Sequence, residues 1–276
     1  MTDSAIFFER FDFVKKILAI ITTFVILFTG CHNFSAHDVF SPESNPYADL
    51  SLKCIGWGFR RTENGPEFTK EQIHIMKKYS CIFKENTEEK TIYLTFDEGY
   101  ENGYTSVILD TLREKDVKAA FFVTGPYVKE NPELIKRMAE EGHIIGNHTV
   151  NHPSLPTIND INILKNELYG LDRLIYDICG EKTTFLRPPK GEYSEYILAV
   201  TKDLGYTNVF WSQAYVDWDN KVSSTEAFEK ITKNIHPGCV LLLHAVSKGN
   251  AEALKDVIEY ARKEGYTFKP LTEYKN

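Results

Sequence analysis

The sequence predicts an α/β protein whose main domain is a distorted (β/α)7 barrel. Seven short apolar runs recur from residue 91 onward, and helical stretches lie between most of them. Strands alternating with helices form parallel βα units, and continuously apolar strands are typical of a sheet covered on both faces. No Gly-rich phosphate-binding loop is present, which favours a barrel over a nucleotide-binding sheet. The runs are 91–96, 118–123, 143–146, 184–186, 208–211, 239–243 and 266–270.

The composition of the chain indicates a globular protein, and its charge argues against a nucleic acid partner. Of 276 residues, 42% are hydrophobic and 26% charged, which is typical of a globular protein. The length suits one large domain or two small ones, and an α/β barrel of this length is ordinary as a single domain. The formal net charge of -7 provides no excess of Lys and Arg to neutralise phosphates, so we expect no nucleic acid partner. The oligomeric state is not indicated by any pattern in the sequence.

Residues 1–31 are predicted to be a signal peptide or membrane anchor. Lys15 and Lys16 precede the uncharged run 17–30, which as a helix would span roughly 21 Å, less than the roughly 30 Å hydrocarbon core. This pattern is typical of a secretory signal. The ending FTGC at 28–31 resembles a bacterial lipobox, in which Cys31 is lipidated after cleavage, although Phe28 is atypical there. An uncleaved anchor is the main alternative and a buried core helix the third. Both the cleaved signal and the uncleaved anchor would place the rest of the protein outside the cytoplasm, held at a membrane.

Residues 32–90 are predicted to connect and cover the main domain, 91–276. The stretch 32–50, with Asn, Ser, Pro and Asp, indicates a tether. The stretch 51–90 contains the aromatic and dibasic run CIGWGFRR at 54–61 and a helix near 69–79, and we expect it to pack on the main domain. Among the cysteines, Cys239 lies in an apolar run and should be a buried hydrophobe, whereas Cys54 and Cys81 could form a disulfide.

Five helical stretches separate the predicted strands. The stretch 132–141 places Leu134, Ile135 and Met138 on one apolar face, and the stretch 194–204 begins with a serine cap, Ser194, followed by a glutamate. The others are 103–115, 160–179 and 251–263. Chemistry in such a barrel lies at the C-terminal ends of the strands, so reactive residues at those ends form the candidate site.

Two adjacent acids, Asp97 and Glu98, end the first strand of the predicted barrel. In a continuing strand their side chains would point to opposite faces. Gly99 would let the backbone turn, so that both acids converge on one cleft. The alternative is a strand-to-loop turn with two solvated acids.

Two histidines, His148 and His152, follow the predicted strand 143–146. At this spacing they would lie on one face of a helical turn and could bind one metal together, with a carboxylate from another strand end. Such a site leaves coordination positions for water and substrate, as a hydrolytic metal needs. Two surface histidines with local hydrogen bonds are the alternative.

Three further strand ends carry candidate residues. The rigid loop RPPKGEY at 187–193 would fix Arg187, which could hold a carboxylate through two parallel hydrogen bonds. Asp217 and Trp218 could orient a histidine and wall a sugar-sized groove. His244 ends an apolar strand and suits a general acid. The alternatives are a surface arginine, plain aromatic packing and a core histidine.

In this order the five motifs resemble the polysaccharide deacetylases of carbohydrate esterase family 4, over about residues 91–275. The family pattern is TFDDG, HxxxH, RxPxG, Asp-Trp/Tyr and Leu-x-His. This chain has TFDEG at 95–99, the histidine pair, RPPKG at 187–191, DW at 217–218 and LLH at 242–244. The runs GYENGY at 99–104, WSQAY at 211–215 and HAVSK at 244–248 resemble the delta-lactam-biosynthetic branch. Enzymes of that branch remove the N-acetyl group from muramic acid in peptidoglycan, a step toward muramic δ-lactam in the spore cortex.

The resemblance implies a divalent metal cofactor, with zinc as the family default. His148 and His152 would be its ligands. Glu98 stands where the family usually has a second aspartate that ligates the metal, and the delta-lactam branch often departs from aspartate there. We predict that Glu98 is the third ligand, although glutamate is longer by one methylene and could reach the metal only if the loop backs off.

The resemblance also implies roles for the remaining residues. Asp97, oriented by Arg187, would accept the proton of the attacking water, and a backbone N–H near Lys190 would meet the oxyanion. His244, oriented by Asp217, would protonate the departing amine. Substrate contacts are expected from Lys190, Tyr193, Trp218 and Leu242.

The sequence thus predicts a metal-dependent N-deacetylase of peptidoglycan that acts on N-acetylmuramic acid. One alternative is a deacetylase of N-acetylglucosamine residues in peptidoglycan or chitin-like polymers. An alternative of another class is a non-catalytic glycan-binding barrel.

Overall fold

A computed structural model describes residues 46–63, 65–218 and 221–275 of the chain. The predicted targeting segment 1–31, with Cys31, and most of the tether 32–50 lie outside the described residues. Residues Tyr47–Asn276 form one compact unit, so the stretch 51–90 belongs to the same unit as the barrel. Within the described ranges, no helix combines the length and apolar character needed to cross a membrane.

The described elements of this unit follow one another as short strands and amphipathic helices. The strands are β1 (Ile55–Gly56), β2 (Arg60–Thr62), β3 (Gly65–Glu67), β4 (Thr91–Glu98), β5 (Ala120–Val123), β6 (Ile144–Asn147), β7 (Phe185–Leu186), β8 (Glu192–Tyr193), β9 (Thr207–Asn208), β10 (Cys239–His244) and β11 (Thr267–Phe268). The helices are α1 (Lys70–Lys78), α2 (Thr105–Glu114), α3 (Gly125–Glu130), α4 (Pro132–Glu140), α5 (Ile161–Cys179), α6 (Glu195–Asp203), α7 (Ser224–Thr232) and α8 (Lys248–Lys263).

A curled parallel sheet of seven strands forms the centre of the unit. The strand order is β10-β4-β5-β6-β7-β9, and β11 pairs with the beginning of β4. The pairings among these strands are parallel. All seven predicted strands are present in this sheet, and the predicted α/β barrel-type fold is confirmed.

Alternate residues of β4 contribute to different parts of the core. Ile92, Leu94 and Phe96 belong to the large cluster that the sheet forms with its helices, whereas Tyr93 belongs to the cluster inside the curl. Because successive side chains of a strand point to opposite faces, Asp97 shares the inner face with Tyr93. The inner face at the C-terminal end of the sheet is therefore where the catalytic candidates lie.

The helices confirm the predicted stretches to within a few residues, and two further helices are present. Ser194 caps α6 as expected, because its hydroxyl accepts a hydrogen bond from the Ile197 N–H at 3.2 Å. Helices α3 and α7 were not predicted. The short α3 begins with a glycine and a proline, a pair that is typical of a turn. Helix α7 has a serine cap, Ser223, from which it could have been predicted.

The stretch 51–90 completes the barrel as well as covering it. Strand β1 pairs antiparallel with β8, and the Trp57 Nε1–H donates to the Trp211 carbonyl at 2.8 Å. Ile82 bridges to Val209, and Lys84 bridges to Cys239. These bridges connect β9 and β10, the two outermost strands of the sheet order, so this stretch helps to close the curl.

The disulfide that Cys54 and Cys81 could have formed is not observed. The four described cysteines are all free, with Cys54 exposed and Cys81 buried. Burial raises the pKa of both the Cys81 and Cys239 thiols to about 12, so these thiols stay protonated and unreactive. Cys239 is the buried apolar residue that its sequence context predicted.

Gly146 supplies the room that the aromatic ring of Phe122 needs on the inner face. A Cβ at Gly146 would lie 2.4 Å from Phe122 Cδ1. We therefore expect Gly146→Ala to lower the free energy of unfolding by about 1–3 kcal/mol, the usual cost of overpacking, as measured by urea denaturation. Gly58→Ala is the matched control, because a Cβ there meets nothing within 4 Å. Equal midpoints for the two variants would contradict this account of Gly146.

Candidate active site

The C-terminal ends of neighbouring strands bring the predicted catalytic residues together. Asp97 at the end of β4 is paired in register with His244 at the end of β10 on one side and with Phe122 of β5 on the other. Neighbouring strands lie about 4.8 Å apart, so the two reactive side chains emerge from adjacent positions on the same face. The structure thus places an acid and a histidine directly beside each other.

Arg187 anchors Asp97 from inside the barrel. Its side chain is fully buried, and its Nη1 donates to Asp97 Oδ1 at 2.6 Å. Its Nη2 donates to Thr95 Oγ1 at 2.9 Å and its Nε to the Val209 carbonyl at 3.2 Å. The guanidinium carbon also lies 4.2 Å from the centre of the Phe122 ring. The expected pair of parallel bonds to one carboxylate is not formed, because the second nitrogen is directed to Thr95.

The protonation state of Asp97 suits a general base. Burial raises the pKa of its carboxyl, but Arg187, followed by His148 and His244, lowers it more, and the net pKa is below the ordinary value. Asp97 is therefore ionised near neutral pH. Because Arg187 occupies Oδ1, the other oxygen, Oδ2, is the one available to a proton, and it lies 3.5 Å from His148 Nε2.

The histidine pair presents neutral imidazoles beside Asp97. His148 Nδ1 lies 2.7 Å from the Arg187 carbonyl, which can only accept, so Nδ1 carries the proton and the Nε2 lone pair is free. Burial lowers the pKa of His148 to about 4 and also lowers that of His152. The ring centres are 4.8 Å apart. Two adjacent neutral imidazoles are the donors that Zn²⁺ and similar divalent ions prefer, so these residues fit the implied metal.

The two histidines lie in a loop and not on the predicted helical turn. Thr149 and His152 have left-handed backbone angles, with φ of +69° and +55°. Asn147 supports this geometry, since its Oδ1 accepts the Thr149 N–H at 2.8 Å and its Nδ2 donates to Asp172 Oδ1 at 2.8 Å. The His152 N–H donates to Thr149 Oγ1 at 2.9 Å. Side-chain hydrogen bonds therefore bring the two rings together in place of helical spacing.

We expect His148→Ala to weaken the binding of a divalent ion by about 100-fold or more, since the loss of a first ligand should cost at least as much as the loss of its supporting partner. Titration calorimetry with Zn²⁺ at pH 7 would measure this, because the imidazole is neutral well above pH 4. The matched control is His74→Ala, at an exposed position of α1. An unchanged dissociation constant for His148→Ala would show that His148 is not a ligand.

Glu98 does not converge with Asp97 as expected. Strand β4 continues through Glu98, so its side chain shares the helix-facing side of the strand with Leu94 and Phe96. The carboxyl is fully buried, and no hydrogen-bond partner of either oxygen occurs among the described residues. Burial, and then Glu101 and Asp97, raise its pKa well above the ordinary value.

Glu98 therefore has no observed place beside the histidine pair. In the ranges that the structure describes, no three or more His, Cys, Asp and Glu side chains are grouped so that they could hold one metal ion. The two imidazoles are the protein ligands that the geometry supports, and ligation by Glu98 stays a prediction without structural support. The physical reason is strand parity, since the backbone turns only after Glu98.

His244 and Asp217 form the second half of the site. His244 Nδ1 lies 2.7 Å from Asp217 Oδ1, so Nδ1–H donates to the carboxylate, and the His244 backbone N–H donates to Asp217 Oδ2 at 2.8 Å. Burial lowers the pKa of His244, but the hydrogen bond and charge of Asp217 raise it more, and the net pKa is above its ordinary value. His244 is thus a histidine held in one orientation with a raised affinity for a proton, as a general acid requires.

Of the four predicted substrate contacts, Trp218 and Lys190 have exposed side chains, whereas Leu242 is 5% exposed. The Trp218 side chain is half-exposed, and its ring centre lies 5.0 Å from that of His244. Lys190 is exposed and has a left-handed backbone in the turn Pro189–Gly191, two residues after the prolines begin. Leu242 is on the same face of β10 as His244, two positions earlier.

Tyr193 does not line the site. Its side chain is 1% exposed and packs on Phe210, with ring centres 5.3 Å apart, in the cluster beneath the stretch 51–90. The cause is the pairing of β8 with β1, which turns Tyr193 into the core. The predicted substrate contact by this side chain is therefore not supported.

Sequence reasoning missed three residues that hold the site in place. Thr95 receives Arg187, Asn147 supports the histidine loop, and Asn250 donates to Asp217. A polar residue within an otherwise apolar strand was an available signal for Thr95. Asn147 ends its strand and could have been noticed for the same reason. Asn250 lies in a helix and carried no signal, because only the fold brings it to the site.

Comparisons with known proteins agree with this geometry. Residues 84–209 match the family model described as polysaccharide deacetylase. The peptidoglycan-N-acetylmuramic acid deacetylase PdaA of Bacillus subtilis is 48% identical over 224 residues, which cover 79% of this chain and 85% of PdaA. The chain belongs to the polysaccharide deacetylase family. The resemblance drawn from the five motifs is confirmed, and with it the assignment as an enzyme that hydrolyses amide bonds of a polysaccharide.

Solved structures extend the similarity over most of the fold. The structure of Bacillus subtilis PdaA, a family 4 carbohydrate esterase, matches with a TM-score of 0.79 at 46% identity, covering 82% of this chain and 98% of PdaA. A peptidoglycan-N-acetylglucosamine deacetylase of Bacillus cereus is a more distant relative, 33% identical over 200 residues, which cover 71% of this chain and 72% of that protein. Deacetylases of this family generally depend on a divalent metal, which agrees with the imidazole pair.

Proposed function

We propose that the chain is a divalent-metal-dependent deacetylase that removes the acetyl group from N-acetylmuramic acid in peptidoglycan. The observation that carries the proposal is the pairing of an ionised Asp97 with His244, whose imidazole is held by Asp217, on adjacent strands beside two neutral imidazoles. The 48% identity with PdaA supports muramic acid as the sugar.

Asp97 serves as the base for the attacking water. Its Oδ1 is held by Arg187, so Oδ2 accepts the proton of a water molecule positioned between it and the acetamide carbonyl. The divalent ion, when bound by His148 and His152, would lower the pKa of that water and polarise the carbonyl. A backbone N–H near Lys190 donates to the oxygen that becomes negatively charged.

His244 completes the reaction by protonating the leaving nitrogen. An amine is a poor leaving group until it gains a proton, so cleavage of the C–N bond needs this step as much as it needs the base. Asp217 keeps Nδ1 of the imidazole occupied, which leaves Nε2 to deliver the proton to the sugar amine. Acetate and the free amine are the products.

Three finer proposals accompany this function. The ion is zinc, the reaction leads toward muramic δ-lactam in the spore cortex, and residues 1–31 hold the enzyme at a membrane outside the cytoplasm, through Cys31 or an uncleaved anchor. Elemental analysis of the purified enzyme tests the metal, and muropeptide analysis of spore cortex from a strain lacking the protein tests the lactam. Cell fractionation with mass spectrometry of the mature N-terminus tests the anchor, and a soluble cytoplasmic chain starting at Met1 would contradict it.

Mass spectrometry of muropeptides after incubation with the enzyme tests the proposal. We expect muramic acid residues to lose the mass of one acetyl group, with glucosamine residues unchanged. Acetyl loss confined to glucosamine would replace the proposed substrate by the alternative one. If neither the wild type nor Asp97→Asn releases acetate while the wild type binds glycan, the non-catalytic barrel is the correct alternative.

A further inference from the structure

Asn250 is a buried residue whose side-chain amide contacts both Asp217 and His244. It lies in the first turn of α8, is 1% exposed, and its backbone N–H donates to Ser247 Oγ at 3.3 Å. Its side-chain Nδ2 donates to Asp217 Oδ2 and to the His244 carbonyl, the latter at 3.2 Å. Its Oδ1 accepts a hydrogen bond from the Tyr215 hydroxyl.

We propose that Asn250 and Tyr215 are positioning residues for proton delivery by His244. This inference rests on the proposed function, in which His244 protonates the leaving amine. Asp217 can orient the imidazole only if its own carboxylate cannot rotate. Its Oδ1 is held by the imidazole, and its Oδ2 is held by the His244 backbone N–H together with the Asn250 amide. Asn250 therefore fixes the half of the carboxylate that the imidazole does not hold.

Tyr215 determines which way the Asn250 amide faces. An asparagine amide has a donor end and an acceptor end of nearly equal shape, and rotating it by half a turn would place its oxygen against the Asp217 carboxylate. The His244 carbonyl and Asp217 both require the donor end, and the Tyr215 hydroxyl donates to the acceptor end. Burial raises the pKa of Tyr215, so the hydroxyl keeps the proton that this contact needs.

The charged groups around these residues do not replace the contacts. Lys230 Nζ lies 5.4 Å from the centre of the Tyr215 ring, and the negative charges of Asp217 and Glu226 act on the Tyr215 hydroxyl. On the opposite side, Asp97 and Arg187 act on His244 with opposite signs, and His152 also faces it. In the described part of the chain, Asp217 Oδ2 accepts hydrogen bonds from the His244 N–H and the Asn250 amide, and from none of these charged groups.

The test compares two substrates that differ in their need for a general acid. With peptidoglycan, Asn250→Ala should lower kcat by about 10- to 100-fold at nearly constant KM, since small misplacements of a catalytic group carry costs of this size. With 4-nitrophenyl acetate, whose leaving group needs no proton, the loss should stay below about 3-fold, because the contribution of acid catalysis is absent. Tyr215→Phe should show the same selectivity with a smaller loss. Tyr260→Phe, which removes a hydroxyl from α8 outside the network, is the control.

Each outcome supports or overturns the inference. In the double variant, Tyr215→Phe should add almost nothing to Asn250→Ala, because the hydroxyl acts through the amide. Equal losses on both substrates, or full additivity, would overturn the positioning role. If Asn250→Ala does not fold, Tyr215→Phe alone decides by its substrate selectivity. A wild type that hydrolyses the ester but releases no acetate from peptidoglycan would instead refute the proposed function, so the two failures can be told apart.

Discussion

Asp97→Asn is expected to lower kcat for acetate release by about 10³-fold, because an amide cannot accept the proton of the attacking water. Only one oxygen of Asp97 is available for this step, since Arg187 holds the other. Asn keeps the shape of the side chain, so KM should change little. A coupled acetate assay on peptidoglycan measures the loss, and activity within 10-fold of the wild type would exclude Asp97 as the base.

The same substitution should also destabilise the fold, which distinguishes Asp97 from an ordinary surface acid. Arg187 is fully buried and would lose its counter-charge, and breaking a buried pair typically costs about 3–5 kcal/mol. Asp110→Asn is the control, because the Asp110 side chain is 57% exposed and its ion pairs with Arg113 and Arg137 should contribute less than about 1 kcal/mol each. Urea denaturation measures both variants. Equal midpoints would show that Arg187 is satisfied by Thr95 and the backbone alone.

The second large effect is expected at His244. His244→Gln should lower kcat on peptidoglycan by about 10²- to 10³-fold, because the leaving amine then has no proton donor. Hydrolysis of 4-nitrophenyl acetate should fall far less, since its leaving group departs as an anion. Steady-state kinetics on the two substrates measures the ratio. Losses of similar size on both would indicate that His244 supports the site without donating a proton.

The pH dependence of kcat should report the Asp217–His244 pair. The acid must be protonated, so activity is lost as pH rises through the pKa of His244, and Asp217 holds that pKa above its ordinary value. In Asp217→Asn the raising contribution is removed, and the alkaline limb of the kcat profile should move to lower pH. The acid limb should stay in place, because Asp97 and His148 both have lowered pKa values. An unchanged alkaline limb would mean that another group sets it.

The strands and the reactive residues could be predicted because their signals are local. Apolar runs of four to eight residues, each followed by a polar or reactive side chain, are sufficient to identify parallel strand ends. Asp97, His148 and His244 stand at such ends, and the structure brings them to one face. The helix α7 was missed although its serine cap was visible, because it follows a loop rich in aromatic residues.

The features that could not be predicted depend on the direction in which a side chain points. That direction is set by residues distant in the sequence. Glu98 faces the helices because β4 continues through Glu98, two residues beyond the predicted run 91–96. Tyr193 faces the core because it is paired in register with Ile55 of β1, 138 positions earlier in the chain. Arg187 Nη2 donates to Thr95 Oγ1 because the fold places that hydroxyl within 2.9 Å inside the barrel. Each of these outcomes follows from tertiary contacts that no short pattern encodes.

The pairing of Asp97 with His244 places these two residues on rigid strands, whereas the loops beyond the strand ends can vary. Asp97 and His244, the groups that we propose to transfer protons, are fixed to one ladder of backbone hydrogen bonds, and sliding one strand past its neighbour would break that ladder. The spacing between proton acceptor and proton donor is therefore the same whichever glycan is bound. Choice among sugars must be made by the loops beyond the strand ends, such as those carrying Tyr100 and Trp218, both half-exposed. Exchanging these loops between relatives should transfer sugar preference and leave the hydrolytic step intact.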